Sequence, residues 1–267
     1  MTLVVDRQVV VVEGASGQWK SEVDSRTLRM VGRVQSVRDD SSMSLIDSRR
    51  TPATRKGKET RQRIIDATTD LIFERGVAEV SLDDVRAATG TSKSQLYHYF
   101  VDKSQLVHAV IQCQRERVLG NHRPTFESLD SFNELKRWRD MIVSRQAARS
   151  CRSGCPLATL ASGLIDVDDD ARTQLVDAFS SWRRLIADGF AHMVENGSLR
   201  SDADPEALAT SVLASLQGGL LLAEVDRDTK CLEVALDGAL AHVRTFATTK
   251  AKSRTSKSAN GRGTGRS

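Results

Sequence analysis

Residues 81–105 write three helix starts in quick succession, and this crowding constrains the fold more than any other feature of the chain. Ser81 and Asp84, Ser92 and Gln95, and Asp102 and Gln105 each stand three apart, an oxygen-bearing side chain ahead of an acid or amide. At that spacing the first side chain takes a free amide of the new helix while the later one reaches back, so each pair is a capping box. Helices are predicted over 82–89, from Ser92 to about Phe100, and over 103–119. Gly90 ends the first, and VRAATGTS is too short to join an ordinary antiparallel pair, so it reads as a helix-turn-helix. Leu82, Val85 and Ala88 are assigned inward, as are Leu96 and Phe100, then Leu106, Val107, Val110 and Ile111. Ahead of them a helix over 58–74 carries Ile64, Ala67, Leu71 and Ile72 at helical spacing, and Gly76 supplies its exit.

Beyond Pro124 the spacing predicts further helices at 126–150, 156–161, 168–196, 205–225 and 229–246. Asn196-Gly197 closes one, and Asp204-Pro205 opens another with an N-cap acid and a proline in the first turn. With few strand patterns past residue 58, the expected class is all-α: a three-helix helix-turn-helix domain plus a helical bundle. The last two helices are apolar over much of their surface. Leu213, Leu216, Leu220, Leu236 and Leu240 are assigned to a two-fold homodimer interface, with Gly218 and Gly219 allowing a second backbone to approach.

The formal charge of +4 hides a sharper distribution. Residues 49–63, from Arg49 to Arg63, carry a local +6, and the tail from Lys250 carries another +6, leaving −8 for the remainder. An acidic body with basic ends suits contact with a polyanion at chosen places. Residues 1–42 have no sustained period: QVVVVEG lacks a partner strand, and the reading is either an extension or a translation start at Met43. No export signal opens the chain, no run reaches the roughly 20 apolar residues of a membrane span, and the four cysteines read as reduced thiols in a cytoplasm. Cys151 and Cys155 lack a third ligand, so neither a metal nor a cofactor is expected. Scattered histidines and the lack of a glycine-rich phosphate loop speak against an enzyme.

In a helix-turn-helix the second helix enters the major groove by its N-terminal end. Here that end exposes Lys93, Ser94 and Gln95 after the cap Ser92, then Tyr97 and His98 one turn on. Gln95 suits a bidentate pair with adenine, Lys93 a guanine or phosphate, and Tyr97 a thymine methyl. Lys103 and Ser81, at helix starts, suit phosphates. The segment 59–119, and above all TGTSKSQLYHYFVDKSQLVHAV, resembles the DNA-binding domain of the TetR/AcrR family of bacterial repressors. GCPLATLASG at 154–163 is similar to a stretch in the C-terminal domain of its LmrA/YxaF-like branch.

The resemblance implies that Ser92, Lys93, Ser94, Gln95, Tyr97, His98 and Lys103 face double-stranded, palindromic operator DNA. It also implies a helical second domain that dimerises and binds a small-molecule effector. The resulting division is a disordered or basic extension over 1–57, a DNA-binding domain over 58–103, an effector and dimerisation domain over 104–247, and a disordered basic tail over 248–267. Trp138, Met141, Phe179, Trp182 and Met193 are the expected pocket residues. An activator with the same DNA-binding mode, or a helical interaction protein without DNA, are the alternatives.

Overall fold

The computed structural model describes residue 52 and residues 54–248. The expectations for residues 1–51, including Arg49 and Arg50, and for the tail after 248 lie outside the described residues. Among the described residues are nine α-helices: α1 Arg55–Arg75, α2 Leu82–Thr89, α3 Lys93–Tyr99, α4 Lys103–Phe126, α5 Phe132–Ala148, α6 Pro156–Leu164, α7 Asp169–Glu195, α8 Pro205–Asp226 and α9 Lys230–Thr245. A lone antiparallel bridge joins Leu199 to Ala247. The architecture is the all-α one that the spacing predicts.

Helix α1 starts three residues before the expected 58, because the Thr54 hydroxyl accepts the Gly57 amide at 3.1 Å. Ile64, Ile65, Leu71 and Ile72 form its buried stripe, and Ala67 is only half-buried. Two threonines also lie inside it. Thr68 and Thr69 satisfy their hydroxyls on the Ile64 and Ile65 carbonyls, at 2.7 and 2.9 Å. Helix α2 has both halves of its capping box and closes at Gly90, whose φ of 65° is easy for glycine. Ala88 turns outward, contrary to the inward assignment; Val85 is the buried residue of this helix.

The third box is only half formed. Asp102 accepts the Gln105 amide at 2.8 Å, but the Gln105 carbonyl oxygen takes the Val101 amide instead of that of Asp102. Helix α4 then continues through Pro124 to Phe126, past the expected 119, so α5 begins at Phe132, not at 126. Proline in the last turn costs one helical bond, and the fully buried Phe126 offsets it by meeting Trp138 and Phe190 edge-on at 5.3 and 6.4 Å. Helix α5 ends at Ala148, before the expected 150, where Ser150 and Cys151 both turn to φ 51°. Helix α6 runs on to the buried Leu164 rather than stopping at 161.

Helix α7 lies against α4 through a polar ladder: His108 and Ser104 meet Asp168 at 3.1 and 3.2 Å, Gln112 meets Gln174, and Arg115 meets Ser181. Gly189 lets α7 approach the end of α4; a Cβ there would sit 2.9 Å from the Phe126 carbonyl oxygen. Helices α8 and α9 form an αα-hairpin around Arg227, with φ 55°. At its centre a Cβ on Gly219 would stand 3.0 Å from the Leu232 Cα, so this glycine serves contact within the chain. Leu213, Leu216, Leu236 and Leu240, assigned to a subunit interface, are buried in that hairpin and its packing on α7, and Leu220 is half-buried. The outer face carries Leu221, Val225 and Val234 instead, 61, 69 and 66% exposed. With apolar residues on both faces, α8 reaches a mean hydropathy of 1.5 and is long and apolar enough to cross a membrane by length and composition alone, contrary to the expectation that no run is, although 44% of that stretch is buried in the protein.

Two outcomes follow from this packing. Gly189→Ala should destabilise the protein by about 1 kcal/mol or more, overpacking outweighing the gain in helix propensity. Gly120→Ala, in the same bundle with nothing within 4 Å, should be neutral or stabilising in urea melts. At Asp168, burial alone would raise the carboxyl, but the Ala171 amide, His108 and Ser104 hold it below its ordinary value of 3.8. A depressed acid contributes stability that is complete above the unfolded value and is lost as pH falls through the folded one. Asp168→Asn should therefore lower the melting temperature at neutral pH, with the deficit narrowing below about pH 4.

Candidate nucleic-acid interface and ligand cavity

Helix α3 has seven residues and one buried side chain, Leu96; Phe100 closes the same core just after it. Everything else at its start is exposed: Ser92, Lys93, Ser94, Gln95, Tyr97 and His98. Tyr97, 43% exposed, has the Lys93 ammonium 5.9 Å from its ring centre, and His98 meets Tyr99 edge-on at 5.0 Å. The structure thus brings these six side chains onto one free surface.

The cap occupies two of them. Ser92 Oγ accepts the Gln95 amide at 3.1 Å, and Gln95 Oε1 accepts the Ser92 amide at 2.9 Å. A bidentate adenine pair would require that second bond to be given up; with it made, only the Gln95 amide nitrogen is free to donate. Ser92 and Ser94 hydroxyls lie 3.1 Å apart.

Ser81 and Lys103 stand apart from α3. Ser81 is engaged with Asp84 through both amide and hydroxyl, and this bonding, above all from the hydroxyl, holds the exposed Asp84 carboxyl below its usual range. Lys103 donates to the Ala78 carbonyl at 3.1 Å, which ties the start of α4 to the α1–α2 connection and fixes the position of its ammonium. The basic segment expected as an arm is helical from Arg55 onward. Arg55, Lys56, Lys58 and Arg63 are exposed on α1, and Arg61 lies over the Phe100 ring at 5.2 Å.

A cavity of about 730 Å³ lies between α1 and the helices of the bundle. Thr69, Asp70 and Phe73 of α1 form one side, and Trp182, Leu216 and Leu220 of α7 and α8 form another. Of the five expected pocket residues, only Trp182 lines it. Trp138 and Met141 line a smaller cleft of about 270 Å³, Phe179 stacks on Trp182 at 6.3 Å, and Met193 is fully buried as core. Long apolar helices fill their centre with large side chains, so most of that set was used in packing.

Reading the sequence passed over His122, Arg145 and Arg149, all of which line the cavity. Two arginines one turn apart ahead of the 151–155 loop were the available signal. His122 is buried, and its Nδ1 accepts the Trp138 indole N–H at 2.9 Å. Burial, then the charge of Arg145, pushes it down to about 4, so the ring is neutral. Cys155 also lines the cavity, and burial pushes its thiol up. Among the described residues no three His, Cys, Asp or Glu side chains gather as a metal site.

Residues 64–110 match the model for bacterial regulatory proteins of the tetR family, and residues 132–238 match that for the C-terminal domain of LmrA/YxaF-like transcriptional regulators. A HTH-type transcriptional regulator of Lactococcus lactis subsp. lactis is 32% identical over 184 residues, covering 67% of this chain and 91% of that one. The HTH-type transcriptional repressor DhaR of a Mycobacterium species is 25% identical over 175 residues, covering 65% and 86%. A solved regulatory protein TetR from Rhodobacter sphaeroides superposes with a TM-score of 0.61 at 26% identity, over 68% of this chain and 97% of that one. With the exposed start of α3, the two-part helical build and these matches together, the chain belongs to the TetR family of bacterial regulatory proteins.

Proposed function

We propose that the chain acts as a homodimeric repressor, placing α3 of each protomer in successive major grooves of a palindromic operator and releasing it when a small molecule fills the cavity. The observation that carries this reading is the start of α3: six polar or aromatic side chains exposed on a helix that a cap and one leucine hold in place. Lys93, Ser94, Tyr97, His98 and the free amide of Gln95 are the base-reading set. Ser81, Ser92, Lys103 and the exposed cations of α1 supply phosphate contacts, which position the helix without reading sequence.

Pairing is assigned to the outer face of the α8–α9 hairpin, where Leu221, Leu222, Val225 and Val234 are exposed and Gly218 and Gly238 have nothing within 4 Å. Two heads so joined would meet half-sites about 34 Å apart. The cavity supports ligand control because its wall includes α1 itself. A ligand shifts such an equilibrium only by its differential affinity for the two shapes, commonly about 1–3 kcal/mol. DhaR, a relative by sequence, is named a repressor, which favours repression over activation. A gel shift with the DNA upstream of the protein's own gene tests the reading; no preference over random DNA would overturn it.

Gln95→Glu separates capping from reading. The carboxylate still accepts the Ser92 amide, so the melting temperature should hold, while loss of the amide donor should cost about 1–3 kcal/mol of discrimination at one base pair. Lys103→Ala should instead weaken binding to operator and random DNA alike and lower the salt slope by about one. Equal effects of the two on every sequence would reject this division. Leu221→Glu with Val225→Glu changes only exposed side chains; sedimentation should show a monomer, and operator affinity should fall by about a hundredfold or more as avidity is lost. A dimer that survives the pair places the interface elsewhere.

A further inference from the structure

The cavity holds more cationic chemistry than packing requires. Arg145 near the end of α5, Arg149 at its C-cap, and Arg152, in the connection that follows, all line it. None of the three has a carboxylate partner among the described residues, whereas Arg117, also at the cavity, is paired with Asp66. Like charges one turn apart repel, and an anion between them relieves that cost.

A second donor is fixed beside them. Because the neutral His122 accepts the Trp138 indole N–H through Nδ1, its own proton sits on Nε2, which has no protein partner. The Trp182 indole N–H is buried without a partner, whereas His122 lines the cavity wall. The His122 Nε2–H lacks an acceptor oxygen, which a ligand in the cavity would supply. Around them Ile142, Leu216 and Leu220 make the rest of the wall apolar. Acids are present too, but Asp70, Glu116 and Glu224 come from three different helices, and Glu224 Oε2 lies so near Gly154 that a Cβ there would be 2.7 Å away. The Cys155 thiol, kept protonated by burial, is a poor nucleophile and does not make the site a covalent trap.

We propose that this cavity binds a compact organic anion, a carboxylate carried on an apolar or aromatic body, with its charge toward Arg145 and the His122 Nε2–H and its body against Trp182, Ile142 and Leu216. The proposal rests on the reading of the cavity as the effector site and names the class of effector. It also supplies the required difference between two shapes. The bound charge attracts the arginine side on α5 and repels Asp70 on α1, the first helix of the DNA-binding unit.

Calorimetric titration of the full chain with benzoate, cinnamate and octanoate tests this, each beside its carboxamide and its amine, with a gel shift run in parallel. Carboxylates should bind at least about tenfold more tightly than the matched carboxamides, the worth of one charge-assisted contact. Arg145→Gln with Arg149→Gln, both exposed positions, should erase that preference at an unchanged melting temperature. Equal binding of acid and amide, tighter binding of the amines, or no binding by any carboxylate overturns the anion site. If neutral compounds or amines release the operator while carboxylates do not bind, the effector reading survives without it. If carboxylates bind with the expected preference but leave operator binding unchanged, the anion site stands and the effector reading falls.

Discussion

A helix of seven residues does not hold itself together in water, since nucleation costs more than so few hydrogen bonds return. Helix α3 exists because the reciprocal bonds between Ser92 and Gln95 satisfy its first amides and because Leu96 and Phe100 anchor it from below. The regulator depends on that arrangement, for it frees the rest of the helix from packing duties. Its surface is open because so little of it is needed for stability. The same economy creates a conflict at Gln95, where one carbonyl oxygen serves the cap that builds the helix and would also be wanted by a base.

Helix α4 connects that short helix to the rest of the chain. Lys103 fixes its first turn to the α1–α2 connection, Gln114 reaches Thr69 at 3.5 Å, and Arg117 pairs with Asp66, so one side of α4 follows α1. The other side is bound to α7 by the ladder through His108, Gln112 and Arg115. On that second side the close approach at Gly189 adds tight packing to the ladder, so α4 is tied to both α1 and α7. Between its two attachments lies the cavity, with α1 in its wall. An occupant of that cavity would lie against Thr69, Asp70 and Phe73 of α1.

Much of this was legible in the sequence because its signals are local. Ser81 with Asp84 and Ser92 with Gln95 are short-range chemistry, and they located the starts of α2 and α3 to the residue. What the sequence misplaced was settled at long range. Pro124 looked like a boundary, yet the burial of Phe126 against Trp138 and Phe190 carried α4 beyond it. Thr54 was hidden as a cap because Arg55, Lys56 and Lys58 made the stretch look like an arm. Apolar content identified α8 and α9 as unusual, but period alone did not say which stripe faces inward: Leu216 and Leu236 pack in the protomer, and Leu221 and Val234 do not. The cavity was read from its large apolar side chains, while its distinctive groups, His122 and Arg145, are polar and meet only in three dimensions.

The two-faced character of α8 has a consequence for how the chain folds. Its inner cover, α9, follows it in the chain, and Gly219 closes against Leu232 only once α9 is in place. Until then the chain carries a 22-residue segment that by hydropathy could pass for a membrane span. Closing the hairpin against α9 covers the inner side of that segment, so the folding of the two helices is coupled.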